Sequence, residues 1–303
     1  MTDITVIILT GNEELHIGRC LEKLRDLNPR QVLVVESQKG DRTHEKAIEV
    51  AQQLQWQVKV EGVGQEQNLP TTTSSLNLIW HDWPGLQSTQ FNWALDQLKN
   101  FSSVNLRPQP SSWILRLDAD EYIDETSIAW LKANLDSIPQ DVDALEFTLE
   151  RKFMGEVIRH GTNGIKMVRM FRAGRGRYAE TLMDERIVFE GKKLEVPVVF
   201  WDDNLNSLAW WKEKHRGYAK REAEQAIASL KTGQWVDPRK AKYYKMPRYL
   251  RAFIYFAIRY FLKGGILDGY GGWMWNFWQG LWYRCLVDRE IGRMKDHINN
   301  TNV

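Results

Sequence analysis

Two aspartates that follow a short apolar run are the residues of this chain best placed to do chemistry. The run Trp113 to Leu117 has the pattern of a buried strand, and Asp118 and Asp120 come directly after it. Alternate residues of an extended chain point to the same side, so the two carboxylates repel each other unless a cation or a shared proton neutralises them. Oxygen ligands with open positions suit Mg²⁺ or Mn²⁺, which complete their coordination with substrate phosphates and water. The pair predicts a divalent-metal site, and the alternative is an ordinary polar turn at a strand end.

The segments before these aspartates alternate between β-branched runs and helical patterns, as βαβ units do. Strands are predicted over 4–9, 31–37, 56–62 and 113–117, helices over 11–27, 41–55 and 89–101, and a loop or insertion over the Thr- and Ser-rich segment 68–77. The pattern favours an α/β fold with an open, mostly parallel sheet that is covered by helices on both faces.

Polar residues follow three of the predicted strands. In open α/β sheets, ligands bind outside the carboxyl ends of the strands. We therefore expect the polar side chains at three strand ends to lie around one crevice. They are Thr10 and Asn12 after the first strand, Glu36, Ser37 and Asp41 after the second, and Asp118 and Asp120 after the fourth. Each residue taken alone is equally explained as a cap or turn residue. The chain has no glycine-rich dinucleotide fingerprint, P-loop or G-x-S-x-G elbow, which excludes those forms of nucleotide binding and of serine catalysis.

The overall composition restricts the partners and the compartment. The chain of 303 residues has 41 basic and 39 acidic residues, and this balance gives no nucleic-acid footprint. Cys20 and Cys285 are the only cysteines, which fits a reducing compartment, and the N-terminal run has no export signal. No apolar stretch reaches the length of about 18 residues that a spanning helix needs. We expect a cytoplasmic protein.

The C-terminal third changes in character after Pro238. Basic residues alternate there with aromatic and aliphatic ones, which is typical of a helix that lies in a membrane interface. We expect residues 243–282 to bind a membrane surface, with an apolar stripe bordered by arginines: the stripe is Tyr249, Phe253, Phe256 and Tyr260, and the arginines are Arg248, Arg251 and Arg259. The alternatives are helix packing on the catalytic domain and a homodimer contact.

Four segments in order give the chain a resemblance to a known family. "TVIILTGNEELHIGRCL", "VLVVESQKGDRT", "GLQSTQFNWAL" and "WILRLDADEYI" are similar to glycosyltransferase family 2, and they cover roughly the first 125 residues. The branch that the chain resembles includes small bacterial lipopolysaccharide-core glucosyltransferases. The resemblance implies a GT-A fold over 1–205, with a nucleotide-sugar half over 1–125 and an acceptor half over 126–205. A helical, basic and Trp-rich region follows over 206–303.

The resemblance also implies roles for individual residues. Asp118 and Asp120 match the metal-binding DxD, and Asp118 also meets the nucleotide. The other nucleotide-binding matches are Thr10, Asn12 and Glu14 in the first loop, Glu36 and Asp41 after the second strand, and Gln90 and Asn92 in a Q-x-N pattern. Glu36 stands where the family has Asp. Asp184, or Glu185 beside it, is the expected catalytic base, and the alternative is that both form surface ion pairs with neighbouring arginines.

The implied activity is a metal-dependent, inverting transfer of a sugar from a nucleoside diphosphate. The donor expected is a UDP-sugar, and the acceptor a saccharide or lipid-linked glycan of bacterial surface polysaccharide or lipopolysaccharide synthesis, reached at the inner face of the membrane. The alternatives are a sugar nucleotidyltransferase and an inactive membrane-surface scaffold. A nucleotidyltransferase would normally carry a Gly-rich, basic loop after the first strand. The loop "LTGNEEL" in this chain is neither Gly-rich nor basic.

Overall fold

The structure is a computed structural model, and it describes residues 1–60, 74–100, 108–161, 164–179, 186–235 and 237–301. These residues divide into two compact units. The sheet unit holds the described residues of 1–150, 164–179 and 186–205, and the helical unit holds 151–161 and the described residues from 206 onward. Asp184 and Glu185, the expected base, lie outside the described residues.

Strands make up most of the regular structure of the sheet unit. The strands of the described residues are β1 (Thr2–Thr10), β2 (Pro29–Glu36), β3 (Gln57–Val60), β4 (Ser75–Trp80), β5 (Trp113–Asp118), β6 (Glu121–Ile123), β7 (Val142–Phe153), β8 (Glu156–Ile158), β9 (Ile165–Arg172), β10 (Gly176–Tyr178), β11 (Ile187–Phe189) and β12 (Lys192–Asp203). Of these, β8 and the last three residues of β7 belong to the helical unit. The main sheet has the order β3-β4-β2-β1-β5-β9-β7-β12-β6. β10 and β11 form a separate antiparallel pair.

Helices precede, follow and connect these strands. They are α1 (Ile17–Leu24), α2 (Thr43–Gln53), α3 (Gln87–Asn100), α4 (Glu125–Asn134), α5 (Leu208–Thr232), α6 (Pro238–Lys245), α7 (Leu250–Ala257), α8 (Gly269–Trp275) and α9 (Tyr283–Thr301), with 3₁₀ turns at Leu135–Ser137 and Gly265–Asp268 and π-helical turns at Ile258–Leu262 and Asn276–Trp282.

The main sheet changes from parallel to antiparallel at β5. β1 pairs in parallel with β2 and β5, and β4 does so with β2 and β3. From β9 onward the strand pairs β5–β9, β9–β7 and β12–β6 are antiparallel. The α/β fold, with its parallel strands and its helical C-terminal region, is confirmed. The antiparallel part was not anticipated from the sequence.

Alternation along β1 explains why helices cover both faces of the sheet. Ile4, Val6 and Ile8 point to one face and join buried residues of α1, α2 and α4 in one apolar cluster. Ile7 and Leu9 point to the other face and join buried residues of α3. A strand buried on both faces reads as a continuous apolar run, and this is the pattern that "TVIIL" shows.

Two sequence expectations need correction. The predicted loop over 68–77 is wrong in its last residues, because β4 begins at Ser75, and Ser75 and Asn77 are buried in the parallel sheet. The helix expected from Asn12 begins only at Ile17. Asn12 instead adopts a left-handed backbone conformation, with φ 61°, which asparagine tolerates better than most residues.

The helical unit is built around the long helix α5. The Ser207 side chain accepts a hydrogen bond at its start, and Gly233 in a left-handed conformation, with φ 75°, ends it. α5 packs against α9 around Glu222, which accepts hydrogen bonds from the Tyr244 and Tyr283 hydroxyls. Burial opposes ionisation of Glu222, but the Arg284 guanidinium and these hydroxyls outweigh it and lower the pKa of that carboxyl to about 2. Among the described residues, no helix is long and apolar enough to cross a membrane.

The arginines of α7 and the following turn do not lie where the sequence suggested. Arg251 and Arg259 are each 2% exposed, so the expectation that they border an exposed stripe is wrong. Arg251 donates to Asp288 of α9, and Asp288 also accepts from the backbone N–H of Tyr249. Arg259 lies over the rings of Tyr255 and Trp275. Arg251 of α7 and Arg259 of the following turn therefore both point inward.

The Arg251–Asp288 pair predicts a large effect on stability. Asp288→Ala leaves a buried guanidinium without its carboxylate, which typically costs about 3–5 kcal/mol. Chemical denaturation of the whole chain should show this loss in the unfolding that involves the helical unit. The double variant Arg251→Met/Asp288→Leu, which removes both charges, should lose less than the single one. A single variant with near-normal stability would contradict the buried pair.

Candidate functional site

The carboxyl ends of β1, β2 and β5 lie side by side. Thr10 is the register partner of Glu36, and Leu9 is the register partner of Asp118. The sheet therefore places three of the predicted site residues at one edge, as the strand-end argument requires. The Thr10 hydroxyl donates to the Val35 carbonyl.

The loops after β1 and β2 are tied together by the polar residues that the sequence singled out. The Asn12 amide oxygen accepts from the Gly40 N–H at 2.9 Å, and the Glu14 carboxylate accepts from the Arg42 N–H at 3.0 Å. The Asp41 carboxylate accepts from the N–H and the hydroxyl of Thr43 and from the N–H of Glu14. These residues hold the mouth of the site in shape, because their hydrogen bonds cross from one loop to the other.

Glu36 and Gln90 each contact a histidine. The Glu36 carboxylate lies 2.6 Å from His44 Nδ1, and the Gln90 amide oxygen lies 2.6 Å from Nδ1 of His81, whose ring stacks on Trp93. Both Glu36 and Gln90 are buried. The two side chains are therefore fixed in orientation by an imidazole that the sequence did not single out.

Asn92, which was expected to contact the nucleotide, hydrogen-bonds to the backbone of β10 in this structure. Its amide donates to the carbonyl of Tyr178 at 3.0 Å and accepts from the N–H of Tyr178 at 2.9 Å. The side chain thus holds the end of β10 against α3. From the same helix Gln87 reaches the acidic edge and donates to Asp118 at 2.9 Å. A nucleotide contact of Asn92 stays a prediction.

Carboxylates crowd the end of β5, and guanidinium groups neutralise three of them. Both carboxylate oxygens of Asp118 lie within 2.9 Å of the guanidinium of Arg116. The remaining pairs are Glu121 with Arg169 at 2.5 Å and Asp203 with Arg19 at 2.8 Å. Like charges held this close would repel, so the arginines are what allows the carboxylates to share one edge.

Asp120 is the exception in this arrangement. Its carboxylate accepts from the amide of Asn204 at 2.8 Å and forms no ion pair with a guanidinium of the described residues, and the Arg19 guanidinium contacts only the backbone carbonyl of Asp120, at 3.4 Å. An amide does not cancel a carboxylate charge. Asp120 therefore keeps its charge available for a cation, and the residue suits direct metal ligation better than Asp118 does.

The donor set at this edge fits a metal that is bound together with a diphosphate. No group of three or more His, Cys, Asp or Glu that could hold a metal is found among the described residues, so a cage made by the protein alone is not seen there. Mg²⁺ and Mn²⁺ in nucleotide sites need only one or two carboxylates, because phosphate oxygens and water supply the remaining ligands. Asp120 supplies one carboxylate, and Asp118, which is 26% exposed on its side chain, lies two residues away.

Burial changes the acid–base properties of two residues beside the aspartates. Burial raises the pKa of the Glu121 carboxyl well above its ordinary value, the charge on Asp118 adds to this, and the Arg116 guanidinium opposes it. Burial also raises the pKa of the Cys20 thiol, and Glu121 adds to that shift. A thiol held in its protonated form is a poor nucleophile, so the role that fits Cys20 is that of a buried residue packed beneath the acidic edge.

The residues that balance the charge at this edge were not predicted from the sequence. Arg116 carried a usable signal, since a charged residue inside the apolar run "WILRL" needs a partner if the run is buried. Arg19, Arg169, Asp203 and Asn204 carried none, because each reaches the edge from a distant part of the chain. His44 and His81 were missed although they lie only eight and nine residues from Glu36 and Gln90, because neither belongs to a motif that the sequence singled out.

Comparison with known proteins gives similarity at the level of solved structures. No protein-family model matches the chain, and no curated protein matches it. S. aureus TarS 1–349 in complex with UDP is 13% identical over 88% of this chain and 74% of that one, with a TM-score of 0.41. The mannosyltransferase PcManGT from Pyrobaculum calidifontis, in complex with GDP-Man and Mn²⁺, is 14% identical over 95% and 86%, with a TM-score of 0.49. Glucosyl-3-phosphoglycerate synthase from Mycobacterium tuberculosis, in complex with Mn²⁺, UDP and phosphoglyceric acid, is 14% identical over 48% and 43%, with a TM-score of 0.31. These similarities concern the arrangement of the chain and assign no role to its residues.

The loop contacts of Asp41 predict a measurable loss of stability on substitution. Asp41→Ala removes the acceptor for three donors and should cost about 1–3 kcal/mol, because the N–H groups of Glu14 and Thr43 and the Thr43 hydroxyl lose their partner. Chemical denaturation measures the change. Asp26→Ala is the control, because Asp26 is exposed and lies two residues after the end of α1. It should change the free energy of unfolding by less than about 0.5 kcal/mol. Equal stabilities of the two variants would show that the loops do not depend on Asp41.

Proposed function

We propose that the protein is a metal-dependent, inverting glycosyltransferase of family 2. It takes a sugar from a nucleoside-diphosphate sugar, with UDP as the proposed nucleotide, and transfers it to a glycan or a lipid-linked acceptor. The observation that carries the proposal is the charge arrangement at the end of β5, where guanidiniums neutralise the surrounding acids and leave Asp120 with its charge. Such an edge suits a cation that arrives with a diphosphate.

The donor would lie across the ends of β1, β2 and β5. Glu36, fixed by His44, is proposed to accept hydrogen bonds from the nucleoside. Asp120, together with Asp118 directly or through water, would hold Mg²⁺ or Mn²⁺, which as a Lewis acid stabilises the charge of the leaving diphosphate. The loops that Asn12, Glu14 and Asp41 tie together keep this surface in shape before the donor binds, which lowers the ordering cost of binding.

Transfer also needs a base for the acceptor hydroxyl. We propose that Asp184, or Glu185 beside it, takes the hydroxyl proton while the acceptor oxygen forms a bond to the anomeric carbon. The bond between that carbon and the diphosphate oxygen breaks at the opposite face, so the configuration inverts and the nucleoside diphosphate leaves. The proposal for these two residues rests on the family resemblance of the sequence around them.

The setting that we propose is the cytoplasmic face of a bacterial membrane, in surface polysaccharide or lipopolysaccharide synthesis. Cys20 and Cys285 are both free thiols, which fits a reducing compartment. A lipid-linked acceptor would need the enzyme at a membrane surface. The surface that could serve this purpose lies in the helical unit.

Donor binding tests the first part of the proposal. A panel of UDP- and GDP-sugars is screened by thermal unfolding with Mn²⁺ and with a chelator, and a cognate nucleotide at about 100 times its Kd should stabilise the fold by about 2.7 kcal/mol. Asp120→Ala should abolish the metal-dependent stabilisation, and Asp118→Asn should weaken it less. The Asp26→Ala control should behave as wild type. If Asp120→Ala binds the nucleotide in Mn²⁺ as tightly as wild type, the metal site is elsewhere.

Turnover tests the second part. Asp184→Asn should keep the affinity for the donor and reduce release of the nucleoside diphosphate by about 10²–10⁴-fold, because the base acts in the transition state. If Glu185→Gln loses turnover and Asp184→Asn does not, the order of the two candidates is reversed, and if neither does, the segment is not part of the mechanism. Release of pyrophosphate from a nucleoside triphosphate and a sugar phosphate would instead identify a sugar nucleotidyltransferase.

A further inference from the structure

The helical unit exposes a continuous series of large apolar side chains. They run from α7 through the π-helical turn into the 3₁₀ turn, and we call them the docking ridge: Leu250, Phe253, Ile254, Ile258, Phe261, Leu262, Ile266 and Leu267. Leu262 is 81% exposed and Leu267 is 72% exposed. A patch of this extent on a soluble protein usually marks a binding surface.

The exposure follows from an inversion of α7. The spacing of Leu250, Phe253, Ile254 and Phe261 puts them on one helical face, and this face points to solvent. The buried side of α7 carries Ala252 and Arg251, and Arg251 is paired there with Asp288. A surface helix normally does the reverse, with apolar residues inside and charges outside. The inversion implies that the outer face of α7 is built for an apolar environment.

Several contacts hold the tip of the ridge in place. Asp268, at the end of the 3₁₀ turn, accepts from the N–H groups of Arg159 and His160 and from the His160 ring, all within 2.9 Å. Gly272 packs so closely on the carbonyl of Gly265 that a Cβ there would lie 2.1 Å from the oxygen. The exposed leucines on both sides of Gly264 are thus presented by a braced turn.

The segments that form or adjoin the ridge carry an excess of positive charge. Between Pro238 and Tyr283 the sequence contains a single acid, Asp268, and its side chain is buried against His160. Exposed basic residues lie on the segments that form or adjoin the ridge: Lys242, Lys245, Arg248 and Lys263. Tyr249, Tyr270 and Trp273 are exposed in the same region, and these residue types favour membrane–water interfaces.

We propose that the ridge is a docking surface for an anionic lipid bilayer. The apolar tip around Leu262 and Leu267 would enter the boundary between headgroups and acyl chains, and Lys245, Arg248 and Lys263 would contact lipid phosphates. A second copy of the chain fits the ridge less well, because a symmetric contact would bring the same cations against one another. The proposal uses the membrane setting of the proposed function and does not depend on its chemistry.

Vesicle flotation of the full chain tests the docking surface. Wild type should float with vesicles of phosphatidylcholine and phosphatidylglycerol at low salt, and binding should weaken at high salt and without the anionic lipid. Leu262→Asp/Leu267→Asp should reduce the partition coefficient at least tenfold. Leu230→Asp, at an exposed leucine of α5 outside the ridge, is the matched control and should float as wild type. Lys245→Glu/Arg248→Glu/Lys263→Glu tests the charges independently and should also fail to float.

The contrary outcomes are distinct. Folded wild type that ignores anionic vesicles at low salt overturns the proposal, as does equal loss of flotation in the Leu230→Asp control. A dimer in sedimentation that the Leu262→Asp/Leu267→Asp variant dissociates, together with no flotation, assigns the ridge to a second copy instead. Asp120→Ala should float as wild type, so that failure of the donor site and failure of the docking surface give different results.

Discussion

The balance of charge at the carboxyl end of β5 is the constraint on which the site depends. Acids that follow a buried strand can share one sheet edge only if cations stand among them, and the protein supplies these from Arg116, Arg169 and Arg19. Arg116 comes from β5 itself, Arg169 from the neighbouring β9, and Arg19 from α1. The edge is therefore assembled by tertiary structure, and the antiparallel strands are as necessary to it as the parallel ones.

In the described part of the chain, one carboxylate at this edge, that of Asp120, is not paired with a guanidinium. A site in which every carboxylate met a guanidinium would be a structural network without capacity for another cation. Asp120, held by an amide, leaves one negative charge where β1, β2 and β5 end. The loops beside it are fixed by side chains that bond across from one loop to the other, so the surface exists before any ligand arrives. Pre-organisation of this kind favours binding, because less conformational entropy is lost.

The sequence predicted the features that depend on local periodicity and on the position of strand ends. The apolar runs of β1, β2 and β5 and the strand-end placement of Asp118 follow from such patterns. β4 did not, because Ser75 and Asn77 resemble loop residues in the sequence, and their burial follows from the parallel strands on either side of β4.

The same limit explains the error at α7. The arginines and aromatic residues between Arg248 and Tyr260 form an amphipathic pattern, and such a pattern shows that a helix has two faces without showing which one is buried. The side of the helix that carries Arg251 is buried because Arg251 pairs with Asp288, which lies 37 residues away in the sequence. The pairs of Glu121 with Arg169 and of Asp203 with Arg19 were hidden in the same way, since an ion pair between distant segments leaves no periodic trace in either.

The most direct test of the account is a crystal structure of the chain grown with Mn²⁺ and UDP, with anomalous diffraction used to locate the metal. We expect one anomalous peak beside the Asp120 carboxylate and the diphosphate at the end of β5, and we expect the nucleoside beside Glu36. A metal peak and a diphosphate that both lie away from Asp120 would contradict it.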